Sequence, residues 1–416
     1  MEKFKTKIRE ILLWSEKYTK TDMIYLTSGI FWIGINKVFI FLFSFFLMLA
    51  FSHLASKEIF GSYQYILSIL GIVSIFSLPG TNLSLMKSIA QKKEGTLKEI
   101  INTRLRWSLI GSFFIFCIAF WYFYKSNIIL GVAIAVTGVG MPLFQSYDSF
   151  GYFWMGRKNF KKGMFYNALS TIIPVCIITV TLFFSENLIV IMSIFILSNS
   201  MANYFFAQKT LKQVNNNEID AGAIKLGKSL TVMQGIEIIN NYIDKIFIWI
   251  FLGSIPVAIY SFAQIPISKM QQLAPIQALS LPKLSEQSME GQRLTVIKNF
   301  LKLFIIVIPV TLLFIIFIPI LYEVFFPQYV ETIPYVRALG SLLVLMPFTY
   351  LTTAMIAESR GYEIAMIQIV IFIFRIILFF ALISNYGIWG IIYATITTEI
   401  LKSVLTLYFF KKNNLQ

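Results

Sequence analysis

Apolar runs of roughly 20 residues, enough to cross about 30 Å of hydrocarbon as helix, recur along the whole chain. They lie near 24–50, 60–88, 99–124, 127–150, 164–184, 188–208, 229–252, 255–281, 299–322, 333–356, 362–384 and 387–410, which predicts twelve membrane-spanning helices. None alternates with the period of two that a transmembrane barrel strand requires. On one side the links are short: Ser185-Glu186-Asn187, Gly253-Ser254 and Asn385-Tyr386-Gly387 read as turns, and the longest link there runs from Pro327 to Ile333. The other side carries longer polar links, notably the Asn-rich stretch from Gln213 to Asp220.

That stretch divides the chain in half. The expected organisation is a segment 1–23, a six-helix N-lobe over 24–212, a connector over 213–228, a six-helix C-lobe over 229–410 and a tail 411–416. A self-match supports a duplication. Ile35-Asn36-Lys37-Val38-Phe39-Ile40-Phe41-Leu42-Phe43 is echoed by Ile243-Asp244-Lys245-Ile246-Phe247-Ile248-Trp249-Ile250-Phe251, 208 residues on, with a lysine in each copy. The match predicts that Lys37 and Lys245 sit at equivalent places on opposite walls of one cleft. Six spans separate the copies, so both lobes have the same orientation and the symmetry axis runs along the membrane normal.

Composition agrees with a membrane protein, at 57% hydrophobic and 13% charged residues. The formal charge of +15 invites a nucleic-acid reading, but its distribution answers that. Lys3, Lys5, Lys7, Arg9, Lys17 and Lys20 precede span 1. Arg157, Lys158, Lys161 and Lys162 fill the 4–5 link, and Lys269, Lys283, Arg293, Lys298 and Lys302 serve the 8–9 link. The opposite links offer only Lys57 and Lys125. By the positive-inside rule both termini are expected in the cytoplasm, in a multi-pass prokaryotic plasma membrane protein, and nucleic acid is not a partner. Residues 1–22 lack the pattern of a cleavable signal; they read either as an amphipathic helix on the inner leaflet or as a frayed tail.

Candidate chemistry lies in the spans, where ionisable groups are costly and mark pathways. Gln234, Glu237, Asn241, Asp244 and Lys245 follow i, i+3 and i+4 steps down span 7. Such a stripe faces a water-filled cavity, or else bonds helices together. Lys37 and Lys245 read as a cationic pair awaiting an anion, or Lys37 bridges Asp244 across the lobes. Arg375, central in span 11, suits phosphate oxygens; its alternative is a bridge to Glu399 on span 12. Cys117 and Cys176 read as buried free thiols without ligand partners. The single histidine, His53, excludes a multi-histidine metal site, so no metal and no bound cofactor is expected. There is no phosphate-cradling glycine loop or serine elbow, no catalytic residue is assigned, and an enzyme is not expected.

Phe60-Gly61-Ser62-Tyr63-Gln64-Tyr65, Ile243-Asp244-Lys245 with Ala258-Ile259-Tyr260-Ser261, and Leu281-Pro282-Lys283-Leu284-Ser285-Glu286 together resemble the Wzx-type polysaccharide flippases. These belong to the MOP exporter superfamily, which also holds the MATE antiporters. The resemblance implies an all-α, MATE-like fold of two pseudo-symmetric lobes. It further implies translocation of a polyprenyl-diphosphate-linked oligosaccharide, such as an O-antigen unit, from the cytoplasmic to the outer leaflet for cell-envelope polysaccharide biosynthesis. Lys245 stands where many relatives carry arginine, which keeps the charge but loses the bidentate fork. On this reading Lys37, Lys245 and Arg375 draw the diphosphate, with Asn36, Gln234 and Asn241 on the polar cavity face. Glu237 or Asp244 couples to a proton or sodium gradient, and glycosyltransferases or a polymerase of the pathway are partners. Two rivals stand: a drug/cation antiporter of the same architecture, which expects an acidic cavity, and a membrane polymerase or ligase, which expects a large external loop.

Overall fold

The computed structural model describes residues 23–273, 293–358 and 360–412, with Ile276, Ser280 and Leu284 between. The N-terminal segment and most of the span 8 exit, including Lys283, lie outside the described residues. Those described form helices and no strand. In the N-lobe they are α1 Met23–Leu54, α2 Lys57–Val73, α3 Thr81–Ala90, α4 Thr96–Tyr124, α5 Ile128–Ser146, α6 Phe150–Gly156, α7 Phe160–Phe184 and α8 Leu188–Leu211. The C-lobe has α9 Ala223–Asn240, α10 Ile243–Leu252, α11 Ser254–Leu273, α12 Arg293–Phe325, α13 Ile333–Gly340, α14 Phe348–Ala357, α15 Gly361–Tyr386 and α16 Ile388–Lys412.

Nine of these segments are long and apolar enough to cross a membrane, or ten if Pro327–Leu345 and Phe348–Ala357 form one bent span. The two further spans expected from the sequence fall on α9 with α10 and on α11, where polar residues dilute the apolar run. Ser56, Asn127, Asn159 and Asn187 start their helices, each accepting an amide of the first turn. Gly253 and Gly387 close the tight turns after α10 and α15 at φ +90° and +55°, conformations that favour glycine.

Two spans are broken where the lobes meet. Span 2 interrupts at Leu78, which takes a left-handed conformation before Pro79 and Gly80. Span 7 interrupts at Asn241 and Tyr242, between α9 and α10. The broken spans are fitted to each other by glycine. A Cβ on Gly71 would meet the Tyr242 ring at 2.4 Å, and one on Gly80 would meet the Thr231 amide at 2.4 Å. Nearer the turn after α10, a Cβ on Gly61 would stand 1.9 Å from the Ser254 carbonyl oxygen. The segment around Gly61 is therefore the first turns of α2, and its glycine is the place where the start of α11 lies against it.

Cys117 and Cys176 are exposed rather than buried, contrary to expectation. Cys117 lies among exposed Phe113, Phe116 and Phe120, and Cys176 beside exposed Ile173, Ile177 and Val180. Free cysteine is apolar enough for a lipid-directed position.

Candidate functional site

Helix ends define the internal repeat better than the self-match does. Lys57 and Ser254 open corresponding helices 197 residues apart. The offset of 208 between Lys37 and Lys245 is eleven residues out of this register, about three helical turns. Lys37 stands seventeen residues from the end of α1, whereas Lys245 stands seven from the end of α10. They differ in depth by about 15 Å at 1.5 Å per residue, and the true counterpart of Lys37 is Gln234. Isoleucine and phenylalanine identities favour many registers in an apolar chain, and they carried the wrong one.

The repeat does show itself in other side chains. Tyr63 and Tyr260 are both buried, 197 residues apart. Arg157 and Arg360, in the 4–5 and 10–11 links, are the clearest pair. Arg157 Nε donates to Glu94 Oε1 at 2.7 Å and its Nη2 to the Gln213 carbonyl at 2.6 Å. Arg360 Nε donates to Glu363 Oε2 at 2.6 Å and its Nη2 to the Phe409 carbonyl at 2.6 Å. Each arginine thus staples its link to the end of the sixth helix of its lobe.

The molecule has one basic end and an opposite end poor in lysine and arginine. At the basic end Arg104 is fully buried, donating to Ser77 O at 3.0 Å, Asn82 Oδ1 at 2.7 Å, Asp148 Oδ1 at 2.6 Å, Ser149 Oγ at 2.8 Å and the Gln145 carbonyl. It is a structural lock of the N-lobe and has no open face for a ligand. The Asn-rich connector is also fixed. Asn216 bonds the Glu94 amide and the Lys92 carbonyl, the Asn215 amide donates to Glu94, and Asp220 accepts from Ser88 at 2.8 Å. Burial pushes the Glu94 carboxyl up, but Arg157 and the Asn215 amide outweigh it and hold it below the usual range.

At the opposite, far end the lobes are closed by aromatic packing. Tyr65 stacks on Trp249 at 4.3 Å and 8°, while the Trp249 Nε1 donates to the Tyr122 hydroxyl at 2.8 Å and that hydroxyl meets Tyr65 Oη at 2.8 Å. Phe262 stacks on Tyr329 at 3.6 Å and touches Phe60. Lys57 and Glu331 make an exposed ion pair at 2.7 Å over this cluster.

Below that closure lie Asp244 and Lys245, both buried. Asp244 Oδ2 accepts from the Tyr260 hydroxyl at 2.5 Å and from Gln264 Nε2 at 3.1 Å, and its Oδ1 accepts the Lys245 amide at 3.0 Å. Lys245 Nζ reaches across the lobes to Gln64 Oε1 at 3.3 Å. Asp244 and Lys37 do not pair. Arg375 is buried, bonding Thr398 Oγ1 at 3.1 Å and Glu399 Oε1 at 2.8 Å, and Glu399 also meets Lys402 at 3.3 Å. Of the two readings of Arg375, the structure takes the bridge to Glu399, so its charge is matched within the C-lobe.

Toward the basic end the contacts change character. Lys37 Nζ donates to the Gln272 backbone oxygen at 2.7 Å. Lys269 Nζ donates to Ser44 Oγ at 3.2 Å. Among the described residues no carboxylate lies within ion-pair distance of Lys37, Lys245 or Lys269. Glu237 and Asn241 are exposed and Gln234 is half-buried, on the far side of the break from Asp244. The stripe read as continuous is cut in two by Tyr242, leaving an accessible part and a buried part. Asn36 is not on a cleft wall: it is buried against Met164 of α7, inside the N-lobe.

The sequence reading counts Lys269 with the link lysines and Gln64 only within the flippase-like motif, and it does not mark Ser44 or Gln264. Lys269 lies inside the run 255–281, and that position alone marks it as a buried-charge candidate rather than a link lysine.

No protein-family profile and no curated protein matches the sequence. Solved structures do. An inward-facing multidrug resistance MATE family transporter of the MOP superfamily is similar over 91% of this chain and 98% of its own, with TM-score 0.69 and 14% identity. The lipid II flippase MurJ, in an inward closed conformation, is similar over 91% and 87%, with TM-score 0.70 and 13% identity. A MOP superfamily transporter from Pyrococcus furiosus, reported to have a binding pocket of reverse polarity, gives TM-score 0.62 at 15% identity over 92% and 95%.

The class is thus a multi-pass, all-helical membrane transporter fold. More particularly, it is the MOP superfamily fold shared by MATE transporters and the MurJ flippase.

Proposed function

We propose that this chain is a flippase that carries a polyprenyl-diphosphate-linked oligosaccharide between leaflets by alternating access of its two lobes. One observation carries the reading: lysines on the lobe interface rest on neutral oxygens, at Gln272, Ser44 and Gln64, and among the described residues they pair with no carboxylate. A cation in low dielectric gains most from an anion, and charge-assisted bonds are about twice as strong as neutral ones. A diphosphate supplies that anion. The basic end would face the cytoplasm, so the closure at Trp249 and Tyr329 would hold the outer side shut while the headgroup is taken up. Glu237 and Asn241 would meet the sugar, and the prenyl chain would stay in lipid. Asp244, buried among hydroxyl and amide donors, is the residue proposed to carry a coupling proton.

The rival drug antiporter would bring an organic cation to this same lysine-bearing interface, which electrostatics disfavours. The test is flipping by purified protein in liposomes. The variant Lys37→Gln with Lys245→Gln should lose at least about tenfold in rate, the loss of one charge-assisted bond or more, without loss of folded protein. Full activity in that variant, or efflux of organic cations by the wild type, would refute the proposal.

A further inference from the structure

The outward surface of the N-lobe carries a groove that belongs neither to the lobe interface nor to the closure. Four phenylalanines of α4, Phe113, Phe116, Phe120 and Phe123, line it with Cys117, and Ala135 of α5 lies across from them. It encloses about 480 Å³, within the range of about 300–1,000 Å³ that holds small organic ligands. Local sequence makes the space. Gly131, Ala135 and Gly138 follow i+4 and i+3 steps down one face of α5. The Phe123 ring lies 2.7 Å from where a Cβ on Gly131 would stand, and the Phe116 ring 3.4 Å from one on Gly138. These two rings lean onto glycine, and the small side chain of Ala135 leaves the groove hollow. The exposed face of α12, by contrast, is mostly aliphatic, with Ile305, Ile306, Leu312, Leu313 and Ile316.

The groove also has a length and a head. From Phe113 to Phe123 α4 rises about 15 Å at 1.5 Å per residue, half of a hydrocarbon layer about 30 Å thick. Lys125 follows two residues later. Its ammonium lies 5.2 Å from the centre of the Trp121 ring, and Trp121 and Tyr124 are exposed, as aromatic residues at a membrane interface are. Of the two link lysines at the far end, Lys57 is paired with Glu331. Among the described residues no carboxylate lies within ion-pair distance of Lys125. The groove is thus apolar through the depth of one leaflet and ends at an unmatched cation.

We infer that the α4–α5 groove and Lys125 together bind an anionic phospholipid of the leaflet at the far end. One acyl chain lies along the phenylalanines, and the phosphate meets the ammonium. Charge complementarity selects this occupant. The phosphate of phosphatidylglycerol has no cation of its own, so it gains a charge-assisted bond from Lys125. Phosphatidylcholine carries its own quaternary ammonium and gains less. A chain without a charged head fills the groove and leaves Lys125 unmatched. The site lies outside the interface between the lobes and does not depend on the nature of the transported substrate.

The test is photo-crosslinking of the full chain in phosphatidylcholine nanodiscs. The probes are phosphatidylglycerol and phosphatidylcholine with a diazirine in one acyl chain, and adducts are mapped by peptide mass spectrometry. Along Phe113–Phe123 phosphatidylglycerol should exceed phosphatidylcholine by about fivefold, the worth of one lysine near an anionic headgroup. Along the exposed face of α12 the two lipids should label equally. Lys125→Gln should bring the groove down to the same parity, and Lys125→Arg should keep the preference. Ala135→Phe fills the groove and should cut labelling of Phe113–Phe123 by both lipids, with α12 labelled as before. Parity in the wild type, or a preference that survives Lys125→Gln, overturns the inference. Labelling undiminished by Ala135→Phe overturns it too, because a headgroup would then be attracted without a seat for its chain.

Discussion

The interface between the lobes has two regions built on opposite principles. Near the far end it is an aromatic block: Tyr65 on Trp249, Phe262 on Tyr329, and a glycine that lets backbones meet. Toward the basic end it is held by lysines donating to neutral oxygens. The first region gains its stability mainly from buried area, with the hydrogen bonds of Tyr122 and the exposed Lys57–Glu331 pair added to it. The second spends positive charge on weak acceptors. A membrane protein under no functional constraint would be expected to bury carbon at both ends.

The sharpest way to break the contrast is at the aromatic end. Trp249→Ala removes a stacked ring and the donor to Tyr122, a truncation that typically costs about 3–5 kcal/mol in a packed core. In a protein freed of Cys117 and Cys176, a cysteine at Glu331 should then react faster with a membrane-impermeant thiol reagent. An unchanged rate would mean the ring does not hold the closure. Gly61→Val comes next, because its side chain must displace the Ser254 backbone; overpacking of this kind costs about 1–3 kcal/mol. A lowered midpoint of thermal unfolding in detergent would register it.

Acid should act on neither region but on the connector. Glu94 is held below its ordinary value of 4.5, so its contribution is complete above that pH and drains away as pH falls through the lowered folded value. Thermal stability should fall in that acid window, and Glu94→Gln should flatten the fall. Smallest of all is Lys57→Ala, which removes an exposed ion pair and should change unfolding by about 1 kcal/mol or less.

The fold was readable because lipid imposes a length and a hydrophobicity on every span. The runs over α9 to α11 are helical but fall short of the length and apolarity of a span, because polar residues dilute them. The site was readable in residue type and not in partnership. A lysine in a span announces a cost, but only the register of two packed helices says whether Lys37 reaches Asp244 or the Gln272 carbonyl. Asn36 failed for the same reason: a helix has several faces, and sequence did not say which one α7 would cover. The equivalence of Lys37 with Lys245 failed because nine mostly apolar letters match by chance, whereas the arginines of two polar links, Arg157 and Arg360, do not.

The connector fastened to Glu94, Lys92 and Thr96 has a mechanical meaning. Eight residues that look like slack rope are a strap buckled to the first half of the chain, and Ala223 carries the fastening on into the cluster of Leu85, Ile89 and Trp154. Residues inserted upstream of Asp220 would therefore lengthen nothing that bends.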